Sequence, residues 1–116
     1  GVSGLYALYK LRELNLSARV FEAGTDIGGT WYWNRYPGAR FDSESYSYQY
    51  SFSQDLLDKW EWSEHFSGQP EIERYLHFVA DTFDLKRDIE CNARVAPVIY
   101  DAAAKMWQRA RRYRYF

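Results

Sequence analysis

The chain contains a single cysteine, three prolines and one methionine. One cysteine, Cys91, excludes an internal disulfide framework and agrees with a reducing compartment, so we expect a cytoplasmic protein in which Cys91 is a packed thiol. No apolar run approaches the roughly 18 residues of a membrane span, and the net charge of −1 shows no excess of basic residues. We therefore expect neither a membrane nor a nucleic acid among the partners.

Aromatic residues are abundant, since 7 Phe, 5 Trp and 11 Tyr make up 20% of the 116 residues. Such residues either fill a core or line a binding site, and we expect both uses here. A chain of this length holds one domain at most. Its first residues, Gly-Val-Ser-Gly, resemble neither a signal peptide nor an initiating sequence, and we expect further sequence upstream.

The beginning of the chain has the pattern of a helix followed by a strand. Leucines at every third position between residues 5 and 14 predict an amphipathic helix, and Asn15 is a plausible C-terminal cap. Residues 18–22 then predict a short, mostly buried strand that ends in Glu22.

Two glycines at the start of this helix, Gly1 and Gly4, are candidates for the second and third glycines of a G-x-G-x-x-G dinucleotide motif. In that motif, backbone N–H groups at the helix N-terminus bind a pyrophosphate. Glu22 stands 21 residues after Gly1, where a carboxylate accepts hydrogen bonds from ribose hydroxyls. An unrelated glycine pair with a surface glutamate is the alternative, but the glycine-rich stretch that follows favours the dinucleotide site.

That stretch, residues 28–40, reads Gly-Gly-Thr-Trp-Tyr-Trp-Asn-Arg-Tyr-Pro-Gly-Ala-Arg and predicts a ligand-binding loop. Glycines let backbone approach a ligand, aromatic rings offer a flat apolar wall, and the guanidinium groups of Arg35 and Arg40 suit a phosphate or a carboxylate. Trp31 and Trp33 would lie on opposite sides of an extended backbone, so that one faces a ligand while the other packs inward. Tryptophans packed in the core and arginines in solvent are the alternatives.

Asp42 follows this loop and is the candidate catalytic acid. The functional interpretation is a carboxylate beside the reacting group, balanced by a nearby cation, and the alternative is an ordinary turn or capping residue. We expect Glu44 and Ser45 to cap or orient the same loop. His65 and His77 have no Cys or Asp neighbour at metal-ligand spacing, so we expect no metal site.

The rest of the chain predicts three further elements and a tail. Alternating aromatic and polar residues over 46–52 predict an extended segment. A proline-opened helix is predicted over 70–83, and residues 89–100 predict a strand broken by a proline, after which 101–105 turn the chain back. Residues 109–116 mix arginines with aromatics, a composition that can bind RNA, but we interpret this tail as a truncation or reading-frame artefact.

Three blocks of the sequence resemble the Baeyer–Villiger monooxygenases, flavoenzymes of the cyclohexanone and phenylacetone monooxygenase type. The blocks are residues 1–12 with Glu22, residues 28–45 and residues 69–85, and the middle block is highly specific. The resemblance implies an α/β fold: a partial Rossmann-type, doubly wound, three-layer FAD-binding domain over residues 1–116. This domain would lack its first strand and carry a helical insertion and a short β segment.

The resemblance also implies which residues meet the cofactors FAD and NADPH. Those that would bind or line FAD are Gly1, Gly4, Glu22, Gly29, Thr30, Trp31, Trp33, Tyr48 and Val95. Arg40 and Asp42 fall where the family meets NADPH and the reacting flavin, and Asp42 is the implied catalytic residue.

The family's reaction uses NADPH, FAD and O2 to convert a ketone to an ester or lactone through a flavin C4a-peroxide. The chain lacks the family's first strand and first glycine, its NADP-binding domain, its F-x-G-x-x-x-H-x-x-x-W signature and its active-site arginine. We therefore expect an N-terminal fragment that is inactive by itself. Alternatives are another flavin-containing monooxygenase, acting on amines or sulfides, and an aromatic-rich binding module without a cofactor.

Overall fold

The computed structural model describes residues 1–109. The helices are α1 (Val2–Glu13), α2 (Thr30–Trp33), α3 (Ser45–Tyr48), α4 (Gln54–Lys59) and α5 (Gln69–Thr82), with a 3-10 turn at Lys86–Asp88. The strands are β1 (Val20–Phe21), β2 (Ile89–Glu90), β3 (Val98–Asp101) and β4 (Met106–Arg109). None of the helices in this part of the chain is long and apolar enough to cross a membrane. Residues 110–116 of the arginine-rich tail lie outside the described residues, so our interpretation of that tail is not tested.

Helix α1 confirms the first predicted helix, and its leucine spacing explains which face is buried. Leu5 and Leu8 are 3% and 0% exposed, whereas Leu14, beyond the last turn, is 67% exposed. Asn15 follows with φ +57°, a left-handed conformation in which asparagine often ends a helix. The backbone N–H of Asn15 donates to the carbonyl oxygen of Arg12 and closes the helix end.

Strand β1 pairs in parallel with β2, in the register Val20 to Ile89 and Phe21 to Glu90. Parallel strands need a crossover connection, and here the chain that carries α2 to α5 supplies it. The strand predicted over 18–22 is therefore in place but shorter, and the prediction that it is mostly buried is wrong. This parallel pair with its helices is part of a Rossmann-type α/β fold.

Helix α5 confirms the second predicted helix and supplies much of the core. Pro70 lies in its first turn, where the missing N–H would have no helical partner anyway. Ile72, Leu76 and Val79 are at most 1% exposed and share one face, as their spacing predicts.

Aromatic side chains build a large part of the remaining core, which confirms that expected use. Tyr75 is 2% exposed, and its hydroxyl oxygen accepts a hydrogen bond of 2.8 Å from the backbone N–H of Tyr50. Burial raises the pKa of Tyr75 to about 12. Trp60 and Trp62 pack on the Tyr75 ring at centroid distances of 5.3 and 4.9 Å.

The extended segment predicted over 46–52 is wrong, because the chain forms the short helix α3 and then runs irregularly. Tyr48 packs against the core from the end of α3, and Tyr50 and Phe52 do so from the irregular path. The alternation of aromatic and polar residues therefore reflects packing of individual rings and not pairing of a strand.

The strand predicted over 89–100 is divided between β2 and β3, with irregular chain around Pro97. The turn predicted over 101–105 is confirmed, since β3 and β4 form an antiparallel hairpin. Helix α4 has no counterpart among the elements predicted from periodicity, although the resemblance implies a helical insertion and α4 lies between β1 and β2.

Candidate functional site

The loops that follow β1 and β2 are bonded to each other at the carboxyl ends of the two strands. The backbone N–H of Ala93 donates to the carbonyl oxygen of Glu22 at 2.8 Å, and that of Asn92 donates to the carbonyl oxygen of Gly24 at 2.8 Å. In open α/β sheets, ligands bind at this edge.

Glu22 lies between the start of α1 and the loop after β1. Its Oε1 atom accepts a hydrogen bond of 2.8 Å from the backbone N–H of Gly24, and its Oε2 atom lies 3.6 Å from the backbone nitrogen of Gly1. The side chain is only 14% exposed, so the carboxylate is held beside the positive end of the helix. The structure thus brings Gly1 and Glu22 together, and their contact with a cofactor stays a prediction.

Gly29 passes directly over Gly1, and the approach leaves no room for a side chain. A Cβ atom on Gly29 would lie 2.6 Å from the Cα atom of Gly1. Gly29 has φ +57° and Gly28 has φ +134°, both in the region that favours glycine. Gly4 differs. Outside its own helix, a Cβ atom there would meet the Cγ1 atom of Val20 alone among the described residues, at an ordinary contact distance of 3.9 Å.

Gly1, Glu22 and Gly29, which we refer to as the glycine cradle, fit the phosphate and ribose end of a dinucleotide. The 12-residue helix α1 begins here, and a helix N-terminus attracts a phosphate. The two glycines present bare backbone, and the carboxylate is an acceptor for hydroxyl groups. Val95 lies on the chain that follows β2 and is 43% exposed.

Helix α2 carries three of the predicted ligand-contacting residues, Thr30, Trp31 and Trp33. The two tryptophans do point different ways, but from a helical turn and not from an extended backbone, which corrects that prediction. Trp31 is 7% exposed, and its indole N–H donates to the hydroxyl of Tyr48 at 2.9 Å. Trp33 is 60% exposed. The ring of Trp33 is therefore open to a ligand, while Trp31 and Tyr48 pack together.

Both arginines of the loop bind carboxylates of the chain itself. Arg35 donates to Glu73. Arg40 donates to Glu64 at 2.9 Å and also to the carbonyl oxygen of Phe66. Both guanidinium groups thus bind anionic groups, as predicted, but these groups are carboxylates of the chain itself. Recognition of a cofactor phosphate by either arginine stays a prediction.

Asp42 lies on an irregular loop, and its side chain is exposed. Among residues 1–109, no group pairs with its carboxylate. Phe41 beside it is 6% exposed and packs edge-on against Trp31 at a centroid distance of 5.7 Å. Asp42 therefore lies next to the buried residue Phe41, and its carboxylate can pair with a group from another part of a longer protein.

The segment that leads into α5 holds the Asp42 loop on both sides, and the sequence did not indicate this. Before the acid, the backbone N–H of Gln69 donates to the carbonyl oxygen of Ala39 at 2.8 Å. After it, the backbone N–H of Ser67 donates to the Oγ atom of Ser45 at 3.1 Å. Ser45 therefore bonds the loop to this segment, and its predicted role in orienting the loop stays a prediction. For Ser67 and Gln69, the sequence indicates only that they lie at or before the start of a predicted helix.

Each histidine faces one acid. His65 lies 3.0 Å from Glu44, and His77 lies 3.7 Å from Asp26. Within the described residues, no group of three or more potential metal ligands comes together. Cys91 is half-buried, and burial raises the pKa of its thiol.

Comparison with known proteins identifies relatives over most of the chain. Residues 1–60 match the family described as NAD(P)-binding Rossmann-like domain. The chain is 52% identical over 107 residues to an acetone monooxygenase (methyl acetate-forming) from Gordonia sp. (strain TY-5), in a match that covers 92% of this chain and 20% of the relative. It is 42% identical over 108 residues to the phenazine N-monooxygenase PhzNO1 from Lysobacter antibioticus, with the same coverage of 92% and 20%.

A solved structure has the same fold. It is an oxidized steroid monooxygenase bound to NADP, with a TM-score of 0.91 and 50% identity over 94% of this chain and 21% of that chain. Relatives at 42–52% identity include Baeyer–Villiger monooxygenases, and the chain spans about a fifth of their length. The chain therefore belongs to the family of NAD(P)-binding Rossmann-like domains, and it is a homologue of part of the Baeyer–Villiger monooxygenases.

Proposed function

We propose that this chain is the FAD-binding part of a cytoplasmic monooxygenase that uses NADPH and O2 to convert a ketone to an ester or lactone. The observation that carries the proposal is the glycine cradle, in which a Cβ atom on Gly29 would lie 2.6 Å from Gly1, beside the held carboxylate of Glu22. The 52% identity to an acetone monooxygenase supports a ketone as the substrate class.

Each part of the glycine cradle has a role that its geometry supports. The start of α1 at Gly1 would face the pyrophosphate, with Gly4 in the first turn. Glu22 would accept hydrogen bonds from ribose hydroxyls, chiefly through Oε2, since Oε1 already accepts from Gly24. Gly29 would let the backbone approach the cofactor closely.

Five side chains would lie at the FAD site: Thr30, Trp31 and Trp33 beside the flavin, and Tyr48 and Val95 elsewhere along the cofactor. Trp33 and Val95 are 60% and 43% exposed and can contact a ligand directly. Trp31 and Tyr48, joined by a hydrogen bond of 2.9 Å, would support the loop from the core. FAD, when bound, supplies the redox chemistry, and these residues supply its position and exclude water.

Asp42 is the proposed catalytic residue. Because its carboxylate has no partner among residues 1–109, it can hold a cation contributed by another part of a longer protein. A guanidinium group held in this way would stabilise negative charge that develops on the substrate oxygen. Arg40, two residues earlier, would meet NADPH and would share its charge with Glu64.

A second candidate function is oxygenation of an aromatic nitrogen. The observation that favours it is the 42% identity to phenazine N-monooxygenase PhzNO1 over 108 residues. The glycine cradle serves both candidates equally, because it would hold the cofactor and not the substrate. A binding module without a cofactor is disfavoured, because the relatives at 42–52% identity are monooxygenases.

The test is to purify the intact protein that carries this chain and to supply NADPH, isotopically labelled O2 and either a ketone or phenazine. We expect a flavin absorption band and an ester that contains one labelled oxygen atom. Formation of an N-oxide with no ester would favour the second candidate. A protein with neither bound flavin nor NADPH oxidation would overturn both.

A further inference from the structure

We propose that the buried hydroxyl pair of Ser45 and Ser67 is a positioning element that fixes the loop carrying Asp42; this inference rests on the function proposed for Asp42. Ser45 and Ser67 are 1% and 0% exposed, and their Oγ atoms lie 2.9 Å apart. Serine is mostly an exposed residue, and a buried hydroxyl is stable only when it is hydrogen-bonded. A fully buried pair therefore indicates a specific structural role.

The pair is bonded to the backbone of the segment that leads into α5. The Oγ atom of Ser45 lies within donating distance of the carbonyl oxygens of Glu64 and His65, at 2.7 and 3.0 Å. It also accepts the backbone N–H of Ser67 at 3.1 Å. The backbone N–H of Ser45 donates to the carbonyl oxygen of His65 at 2.8 Å. The chain three residues after Asp42 is thus held by main-chain and side-chain bonds together.

The same segment holds the chain before Asp42. The backbone N–H of Gln69 donates to the carbonyl oxygen of Ala39 at 2.8 Å, and the guanidinium group of Arg40 donates to the carbonyl oxygen of Phe66. Residues on both sides of the acid are therefore bonded, while the acid itself makes no bond within the described chain.

In this arrangement, one set of bonds fixes the position of the Asp42 loop, and the carboxylate of Asp42 stays free to pair with a cation. Without these bonds the loop would be mobile, and the exposed carboxylate of Asp42 would occupy many positions. A partner cation would then have to restrict the loop on binding, at an entropic cost. Bonds to Ser45 and Ser67 remove that freedom before the partner arrives. They leave the carboxylate oxygens of Asp42 unoccupied, which a direct hydrogen bond to the acid would not do.

Hydrogen exchange of the intact protein tests the positioning without any cofactor. Ser45→Ala and Ser67→Ala should each speed exchange of backbone amides in residues 39–47 by about tenfold and leave α1 unchanged, because a buried partner group is left unpaired. Ser47→Ala is the matched control, since the Ser47 hydroxyl is on the exposed surface and donates to the carbonyl oxygen of Glu44 at 2.8 Å. It should leave exchange in the loop unchanged. Unchanged exchange in both of the first two variants would overturn the proposal.

A double-mutant cycle then tests whether the pair acts through Asp42. At saturating FAD, Ser45→Ala should lower kcat about tenfold in the parent protein and should have no further effect in the Asp42→Ala background. Full additivity of the two changes would show that Ser45 does not act through the acid. An unmodified protein without oxygenation would refute the proposed function, and the exchange measurement would still decide whether the pair holds the loop.

Discussion

Glu22 and Asp42 are both loop acids, but the structure holds them in opposite ways. The Glu22 side chain is 14% exposed, and its carboxylate accepts a backbone hydrogen bond of 2.8 Å from Gly24. The Asp42 side chain is exposed and makes no bond among residues 1–109. A carboxylate fixed by a hydrogen bond is suited to bind a ligand group that does not move. A carboxylate without a partner is suited to pair with a cation that approaches during a reaction. If the proposed function is right, cofactor binding and oxygenation depend on separate regions of this chain.

The two regions are also built from different interactions. Near Glu22, the decisive contact is between the backbones of Gly1 and Gly29, which only glycine allows. Near Asp42, side chains such as Ser45 hold the loop. Substitutions should therefore affect one region without the other.

The largest expected effect is that of Gly29→Ala, which should break the glycine cradle. A Cβ atom at this position would lie 2.6 Å from the Cα atom of Gly1, and φ is +57°. We expect the free energy of unfolding to fall by about 3 kcal/mol or more and FAD to be lost from the purified protein. Chemical denaturation and flavin absorbance measure both.

Gly38→Ala is the control for Gly29→Ala. Gly38 has φ +80°, but among residues 1–109 no atom beyond its two chain neighbours lies within 4 Å of the position that an added methyl group would occupy. Only backbone strain of about 1–2 kcal/mol should result, with FAD retained. If Gly29→Ala keeps its flavin and its stability, the close approach has no functional part.

Asp42→Ala should have the next largest effect, and it should act on the reaction alone. Removing one preorganised electrostatic contact costs on the order of 100-fold in rate, so ester formation should fall by about that factor while FAD affinity is kept. Stopped-flow spectra of the flavin locate the damaged step. If the variant forms ester at the parental rate, Asp42 has no catalytic role and is an ordinary turn residue.

Glu22→Ala should act on binding alone. The loss of a hydrogen bond to a charged group should weaken FAD binding by roughly 1.5–3 kcal/mol without changing the fold. Equilibrium titration with FAD measures the change, and far-ultraviolet circular dichroism is the control for folding. An affinity equal to that of the parent would place Glu22 away from the ribose.

The smallest expected effect is that of Gly4→Ala. A methyl group here would meet the Cγ1 atom of Val20 at 3.9 Å, so it fits, and alanine favours a helix over glycine by up to about 1 kcal/mol. The midpoint of thermal unfolding should stay equal or rise, with FAD affinity unchanged. A loss of FAD would instead show that the backbone at Gly4 touches the ligand.

The parts of the fold that the sequence predicts correctly have local, periodic patterns. Helices α1 and α5 follow from apolar residues on one face, and both begin and end within a few residues of the predicted bounds. The sequence wrongly predicts an extended segment over 46–52 because the rings there alternate with polar residues. Three of the four rings, those of Tyr48, Tyr50 and Phe52, pack on the core from a helical turn and an irregular path, an effect of tertiary contacts that periodicity cannot show.

The candidate site divides in the same way. Gly1 and Gly29 are predictable because a close backbone approach requires glycine, whatever lies around it. Ser67 and Gln69 are common polar residues, and their role comes from partners far away in sequence, such as Ser45, which stands 22 positions before Ser67. No local pattern contains that information.

The most direct test of this division is to measure NADPH-dependent ester formation at increasing FAD concentration in the intact protein and in its Glu22→Ala and Asp42→Ala variants. We expect Glu22→Ala to need more FAD but to approach the parental rate at saturation, because only binding is weakened. Asp42→Ala should saturate at the parental FAD concentration and stay about 100-fold slower. If both variants show the same loss at saturating FAD, the two acids serve one function and the account is contradicted.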